Sequence, residues 1–461
     1  MNTSLSRTTR RAALIACAAL ALAACGDDPV EPGPDSGTPP DAGTDAAMAG
    51  NSIVDIAAGN PDFSMLVAAA TRAGLVETLG AGEFTVFAPT NDAFEASGIT
   101  MAMIEAMPEM QLRGLLTYHA LVGSITASEL EAGPATTAAM LSIILGTTDG
   151  VTINGGNDVV GGANVVMADI EASNGVIHVI DRVLLPPTVA DLTRYAGLTT
   201  LAGAVTTAGL ADDLSGAGPF TVFAPTDAAF AALPAVPTGD ALTSVLLYHV
   251  VGARVPAAAV PATAASLSEN EYGDMLTLLF DTEGGVTIND GVMVVVADVF
   301  ATNGIVHVVD EVLLPMNVVE AATAAGLTGL LGAVTAAADL GDGTSVAEAL
   351  AAQAPYTVFA PSNDAFTAAA GTISTLDAEQ VRDVLLFHVL DPAVSTSPVL
   401  AADLPAAEAE LETLDPDATN TVTFAPGPPP TVEGAAIVIT DIVVTNGVVH
   451  VIDAVMVPPT L

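Results

Sequence analysis

The chain has no lysine and no tryptophan, and its nine basic residues, all arginine, face 53 acids. Three of those arginines (Arg7, Arg10 and Arg11) precede the first acid, Asp27, so the remainder is more acidic than the formal charge of −44 over 461 residues. A field of that sign repels phosphate backbones, which excludes nucleic acid as a partner. The acidity reads as a solvated surface, with carboxylates gathering calcium or another cation as the alternative. No acidic loop has the ligand spacing of an EF-hand. Cysteine is nearly absent as well: Cys17 and Cys25 are the two, and both lie near the N-terminus.

The N-terminus has the layout of an export leader. Arg7, Arg10 and Arg11 form a positive head, and an apolar run from Ala12 to Ala24 follows. That run is too short for a stable membrane span. Leu22-Ala23-Ala24-Cys25 closes it and resembles the bacterial lipobox, which predicts cleavage after residue 24 and acylation of Cys25. Thr9-Arg10-Arg11 leaves both the general and the twin-arginine export routes open. With Cys17 removed and Cys25 acylated, the mature chain has no disulfide and must be held by buried apolar surface in full-sized domains. Residues 25–50 are rich in Asp, Pro, Gly, Ala and Thr, a composition that cannot offset its ordering entropy, and read as a flexible acidic tether.

Beyond the tether the chain repeats itself. FTVFAPTNDAF begins at Phe84, FTVFAPTDAAF at Phe220 and YTVFAPSNDAF at Tyr356, at equal intervals of 136 residues. A second string follows each: NGVIHVIDRVLLPP from Asn174, NGIVHVVDEVLLP from Asn303 and NGVVHVIDAVMVPP from Asn446. Between them sit Tyr118-His119, Tyr248-His249 and Phe387-His388. A period this long means domains in series. The ends of the second strings place them at 51–187, 188–315 and 316–461, with Pro-containing links too short for free rotation. The chain stops directly after the third unit, so no C-terminal anchor is expected.

Within each unit an Ala/Leu-rich helical stretch (Phe63 to Leu79, Asp191 to Ala208) precedes a short apolar strand, Ala-Pro and a helix start. Thr90, Thr226 and Ser362 are placed as N-caps, with Asp92, Asp227 and Asp364 in the first turn, and Phe94, Phe230 and Phe366 pointing to the core. Asn-Gly between two β-rich runs predicts a closing hairpin. The uncharged run Ala321 to Ala338 approaches membrane-spanning length, yet the matching stretches carry Arg72, Glu77, Arg194 and Asp212, so it reads as a buried helix of a soluble domain.

The two strings and the aromatic-His pair, three times in the same order, resemble the signature segments of the fasciclin domain. That resemblance covers nearly all of residues 51–461. It implies an α+β fold, each domain a β-sandwich-like wedge of two sheets with helices packed along one side. It further implies an extracellular protein acting in adhesion or matrix attachment. In the family's animal adhesins an Asp-Ile pair ahead of the Asn-Gly turn is credited with engaging integrins; the matching residues are Asp169-Ile170, Asp298-Val299 and Asp441-Ile442. Domain two departs with Val299. The competing reading buries the Ile or Val in a strand and turns the Asp toward solvent.

All six histidines lie in the repeated motifs: His119, His249 and His388 after an aromatic, and His178, His307 and His450 in the final strand. No Cys, HxxxH or HExxH spacing completes a metal site, and neither a nucleophile elbow nor a catalytic carboxylate pair is present. No glycine-rich phosphate cradle exists. The motif histidines and aromatics are therefore expected to be structural, with no catalytic residue, cofactor or metal. Two functions stand. One is a lipid-anchored surface protein that binds extracellular matrix, glycan or cell-surface protein through broad multivalent faces, with weak self-association. The other is an extracytoplasmic small-molecule receptor or enzyme using a polar cleft in one domain.

Overall fold

The computed structural model describes residues 51–461 except 149, 157–160, 196–197, 290, 394–396 and 416–420. The expected leader, acylated Cys25 and tether lie outside the described residues. Gly50–Leu461 forms one compact unit, in which three α+β domains follow one another.

Each domain is built on a parallel pair of strands from its two repeated strings. The opening strands are Phe84–Pro89, Phe220–Pro225 and Tyr356–Pro361; the final strands are Gly175–Ile180, Gly304–Val309 and Gly447–Ile452. They pair in identical register, Phe87 beside His178, Phe223 beside His307 and Phe359 beside His450. All six final-strand residues are buried in every domain, as a strand covered on both faces requires. Against each final strand runs a ten-residue bulged strand: Ala163–Ala172, Val292–Ala301 and Ala435–Val444. Its register slips twice, the second slip enclosing Asp169, Asp298 or Asp441. Those Asp residues have φ of 59°, 58° and 59°, the left-handed region that Asp tolerates better than most residues. Through this strand the ladder continues from the opening and final strands to the remaining strands of each domain. Seven strands line up in domain one and six in domain three, while in domain two Ser266 pairs with Val251 and closes seven strands into a barrel.

Helices cover the other side of the opening and final strands, and their breaks follow the glycines. The single helix expected over Phe63–Leu79 is two, Ser64–Arg72 and Val76–Ala81. Gly74, at φ +64°, ends the first with the Leu75 N–H bonded back to Ala70, a left-handed terminator. Asp191–Ala208 likewise contains parts of two helices, Val189–Tyr195 and Thr199–Thr207. The uncharged run of domain three splits at Gly326 (φ +65°) into Val318–Ala324 and Thr328–Ala336. No single described helix is long and apolar enough to cross a membrane. Thr90, Thr226 and Ser362 cap as expected, accepting from Ala93, Ala229 and Ala365. Phe94 and Phe230 are buried, but Phe366 is only partly so.

The hairpin loop is Ser173-Asn174, since Ala172 pairs with Gly175. The expected turn glycine thus sits inside the strand. A Cβ there would strike the Phe84 carbonyl, and Gly304 and Gly447 meet Phe220 and Tyr356 in the same way. Glycine is needed for the close approach of the opening strand, and at Gly175 also for a φ of +145°.

The same joint links domain one to two and two to three. Ser142 Oγ accepts the Phe300 N–H at 2.9 Å, and Thr277 Oγ1 accepts the Val443 N–H at 3.0 Å. Two residues beyond each hydroxyl, Ile144 packs against the domain-two core and Leu279 joins that of domain three. Both donors, the N–H groups of Phe300 and Val443, lie two residues past the bulge Asp and point away from their own ladder.

Candidate functional site

The repeated polar side chains are built into three devices, each present in every domain. The first ends the helices Glu109–Tyr118, Asp240–Tyr248 and Ala378–Phe387, where histidine is the C-cap. Its Nδ1–H donates to the carbonyl four residues back, on Leu115, Val245 or Val384, at 2.7–2.8 Å. That satisfies a carbonyl the helix end leaves orphaned. Its Nε2 accepts a backbone N–H from Leu184, Leu313 or Met456, each at 2.9 Å. An N–H donor on Nε2 requires that nitrogen to be bare, so these rings are neutral with the proton on Nδ1. Burial pushes the imidazoles of His119, His249 and His388 down to about 4.

The second device uses the other histidine in the opposite tautomer. Nδ1 of His178, His307 and His450 accepts the N–H of Asp169, Asp298 and Asp441 at 3.1–3.2 Å. Nε2–H donates to the carbonyl of Ile125, Val255 or Val399 at 2.9–3.1 Å. Each ring lies against the Phe of the opening strand, centroids 5.5–5.6 Å apart. Burial lowers these pKa values also, opposed by the accepting carbonyl and the bulge carboxylate. The Asp carboxylates face outward but are engaged, accepting the N–H of Ala127, Ala257 and Ala401 at 2.7–2.9 Å. One bulge therefore ties together the final strand, the bulged strand and the loop after the aromatic-His pair.

The third device was not read as a site from the sequence, although its residue opens the second repeated string. Asn174, Asn303 and Asn446 each accept the first helical N–H of their domain (Ile53, Val189, Val318) at 2.9–3.0 Å. Each amide donates twice, to Leu79 and Gly82, Leu214 and Gly216, or Leu350 and Ala352, at 2.7–2.8 Å. One side chain thus caps one helix, closes another and fixes the hairpin. Sequence reasoning also missed the buried pair of Tyr118 with Asn154 and Tyr248 with Asn289, at 3.0 Å in both domains.

None of the motif histidines lines an open polar pocket among the described residues, but Asn289 does: with Glu311, Glu320 and Thr323 it borders an open cleft of about 330 Å³. Apolar clefts lie beside His119 (lined by Ile53, Leu66, Val86 and Leu116) and beside His388 (Val318, Leu330, Val358 and Leu385), where both ring nitrogens are already bonded. Among the described residues no three His, Cys, Asp or Glu side chains gather so as to hold a metal ion.

The family model for the fasciclin domain matches three times, at residues 61–186, 196–315 and 332–458. The chain belongs to the fasciclin-domain family. One stretch of 150 residues is 47% identical to Synechocystis protein sll1483, covering 32% of this chain and 78% of that one. Human periostin is 28% identical over 443 residues, 89% of this chain and 48% of its own length. Cell surface glycolipoprotein MPB83 of Mycobacterium bovis is 30% identical over 151 residues, 32% of this chain and 65% of the relative. The chain therefore spans about half the length of periostin. A fasciclin I domain pair from an insect cell adhesion molecule aligns over 54% of the chain at 20% identity and a TM-score of 0.34.

Among the fasciclin domains the Asp-apolar pairs differ in one respect. Val299 and Ile442 are 2% and 1% exposed, covered where domains meet, whereas Ile170 is only half-buried and Asp169 is exposed. The pair is an open surface feature in domain one only.

Proposed function

We propose that this is an exported adhesion protein, acylated at Cys25 and held on a bacterial envelope or outer surface by an acidic tether. Its three fasciclin domains, which we bound at 51–187, 188–315 and 316–461, bind matrix, glycan or cell-surface protein without catalysing a reaction. The observation that carries this reading is the commitment of the motif side chains: every histidine, hairpin asparagine and bulge aspartate is bonded inside its own domain. Chemistry at a site needs polar groups left aimed at a substrate, and these repeated side chains are not so aimed. The name of MPB83, a cell-surface glycolipoprotein, supports the same location. The face around Asp169 and Ile170 is the proposed contact of domain one, and surfaces that differ between domains supply the rest. Several weak faces on one tether gain avidity without any single strong site.

The test is retention of the compact unit 50–461 on immobilised polysaccharides, matrix proteins and whole cells, with Asp169→Ala/Ile170→Ala alongside. Retention on at least one surface, weakened by the paired substitution, is expected. Clean negatives on all of them would overturn the adhesion reading, and turnover of a small substrate would favour the receptor or enzyme alternative.

A further inference from the structure

The joint that repeats inside the chain has two halves, and the outermost copy of each half departs from the pattern. On one half a hydroxyl, which accepts the bond, and, two residues on, an apolar side chain enter the next domain: Ser142 with Ile144, Thr277 with Leu279. The matching strand of domain three, Thr421–Ala425, keeps the hydroxyl at Thr421 but has Thr423 in the apolar place. The match is fixed by pairing, because Phe424 opposes Val432 as Leu145 opposes Ile153. It is fixed again by a shared contact: the N–H of Ile144, Leu279 and Thr423 goes to Asn154, Asn289 and Glu433.

On the other half the N–H is donated by the residue two past the bulge Asp, Phe300 in domain two and Val443 in domain three. Val443 is 6% exposed and packs, with Val448, into the domain-two cluster. In domain one the residue is Glu171, exposed, while two residues on the N–H of Ser173 is taken by Asn51. A half-covered β edge is a template for pairing, and a charge on it blunts that tendency.

We infer that Glu171 and Thr423 keep the chain from polymerising through the contact that joins its own domains. The contact is heterologous, so copies joined by it would add head to tail without limit unless the geometry closed a ring. Domain three of one molecule carries the right hydroxyl for domain one of the next. What is withheld is the apolar knob on one side and the apolar seat on the other. Inside the chain the same contact forms readily because a short link supplies an effective concentration on the order of 1 mM. This narrows the self-association expected from sequence: the joint surface is closed to it, and other faces remain for adhesion.

The test adds function instead of removing it. Residues 50–461 are compared with Glu171→Val, Thr423→Leu and the double variant by sedimentation velocity, each checked by thermal melting. The unaltered unit should stay monomeric up to about 1 mM, the concentration the link would supply. The double variant should at least double its weight-average mass over that range, each single variant less. Adding Thr421→Val to the double variant should return it to the monomer. A folded double variant that stays monomeric would overturn the inference. So would an unaltered unit that assembles equally well, or oligomers that ignore Thr421→Val.

Discussion

Domains one and two carry a buried polar pair that domain three lacks, and domain three lacks both members. Tyr118 and Tyr248 donate to the carbonyls of Ser142 and Thr277 at 3.0 Å and accept from Asn154 and Asn289. The same Asn oxygens take the N–H of Ile144 and Leu279. In domain three the aromatic is Phe387, 1% exposed, and the partner position is Glu433, whose carboxylate reaches the Thr423 N–H from an exposed site. All three partner residues keep a left-handed backbone, φ 53°, 52° and 48°. The backbone device is thus constant while the buried chemistry is exchanged as a unit. Leaving one polar partner without the other costs its desolvation, whereas replacing both is nearly neutral.

The largest expected effect should not distinguish the domains, because each has one helix-capping histidine with a pKa of about 4. The unfolded value is near 6.5, so between about 6.5 and 4 the unfolded chain holds a proton the folded domain lacks. Stability is full above that window, falls as pH drops through it by about 1.4 kcal/mol per unit for each histidine, and levels off below pH 4. Urea midpoints from pH 7 to pH 3.5 measure this; a flat profile in any domain would show that its histidine titrates normally. The next effect breaks the comparison. Asn289→Leu leaves the Leu279 N–H unpaired, strips Tyr248 of a partner and puts a branched side chain at positive φ, a loss of about 2–4 kcal/mol. Glu433→Leu should cost about 1 kcal/mol, since its bond lies in water. A second pair of substitutions sharpens it. Phe387→Tyr alone should destabilise domain three by about 1–2 kcal/mol, and Glu433→Asn added to it should recover most of that. A double variant no better than Phe387→Tyr would mean that the pair is not a unit.

What was legible in sequence was what repeats within a short span. The N-caps at Thr90, Thr226 and Ser362 and the final hairpins are set by neighbours a few residues apart, and the strings displayed them three times over. The histidines were legible as a repeated pair, but not their opposite tautomers, which depend on N–H groups such as that of Leu184, 65 residues from His119. Asp227 was read with Asp92 as a dipole partner. Its carboxylate instead binds Thr199 and Thr200, the task of Asn91 and Asn363 in the other domains. The joint was out of reach altogether: Ser142 and Phe300 are 158 residues apart, and nothing local marks a serine as the seat of another domain.

The hairpin asparagine fixes when a domain can come into being. The first helical N–H of each domain waits for an oxygen 121, 114 or 128 residues further on, and the opening strand waits for the final strand of the same hairpin. A chain growing from its N-terminus has neither closure until the last part of the domain has emerged, so each domain assembles late and as a whole. Until then its helices and opening strand lack the partner that holds them. A polypeptide of this design stays loose for most of its own synthesis.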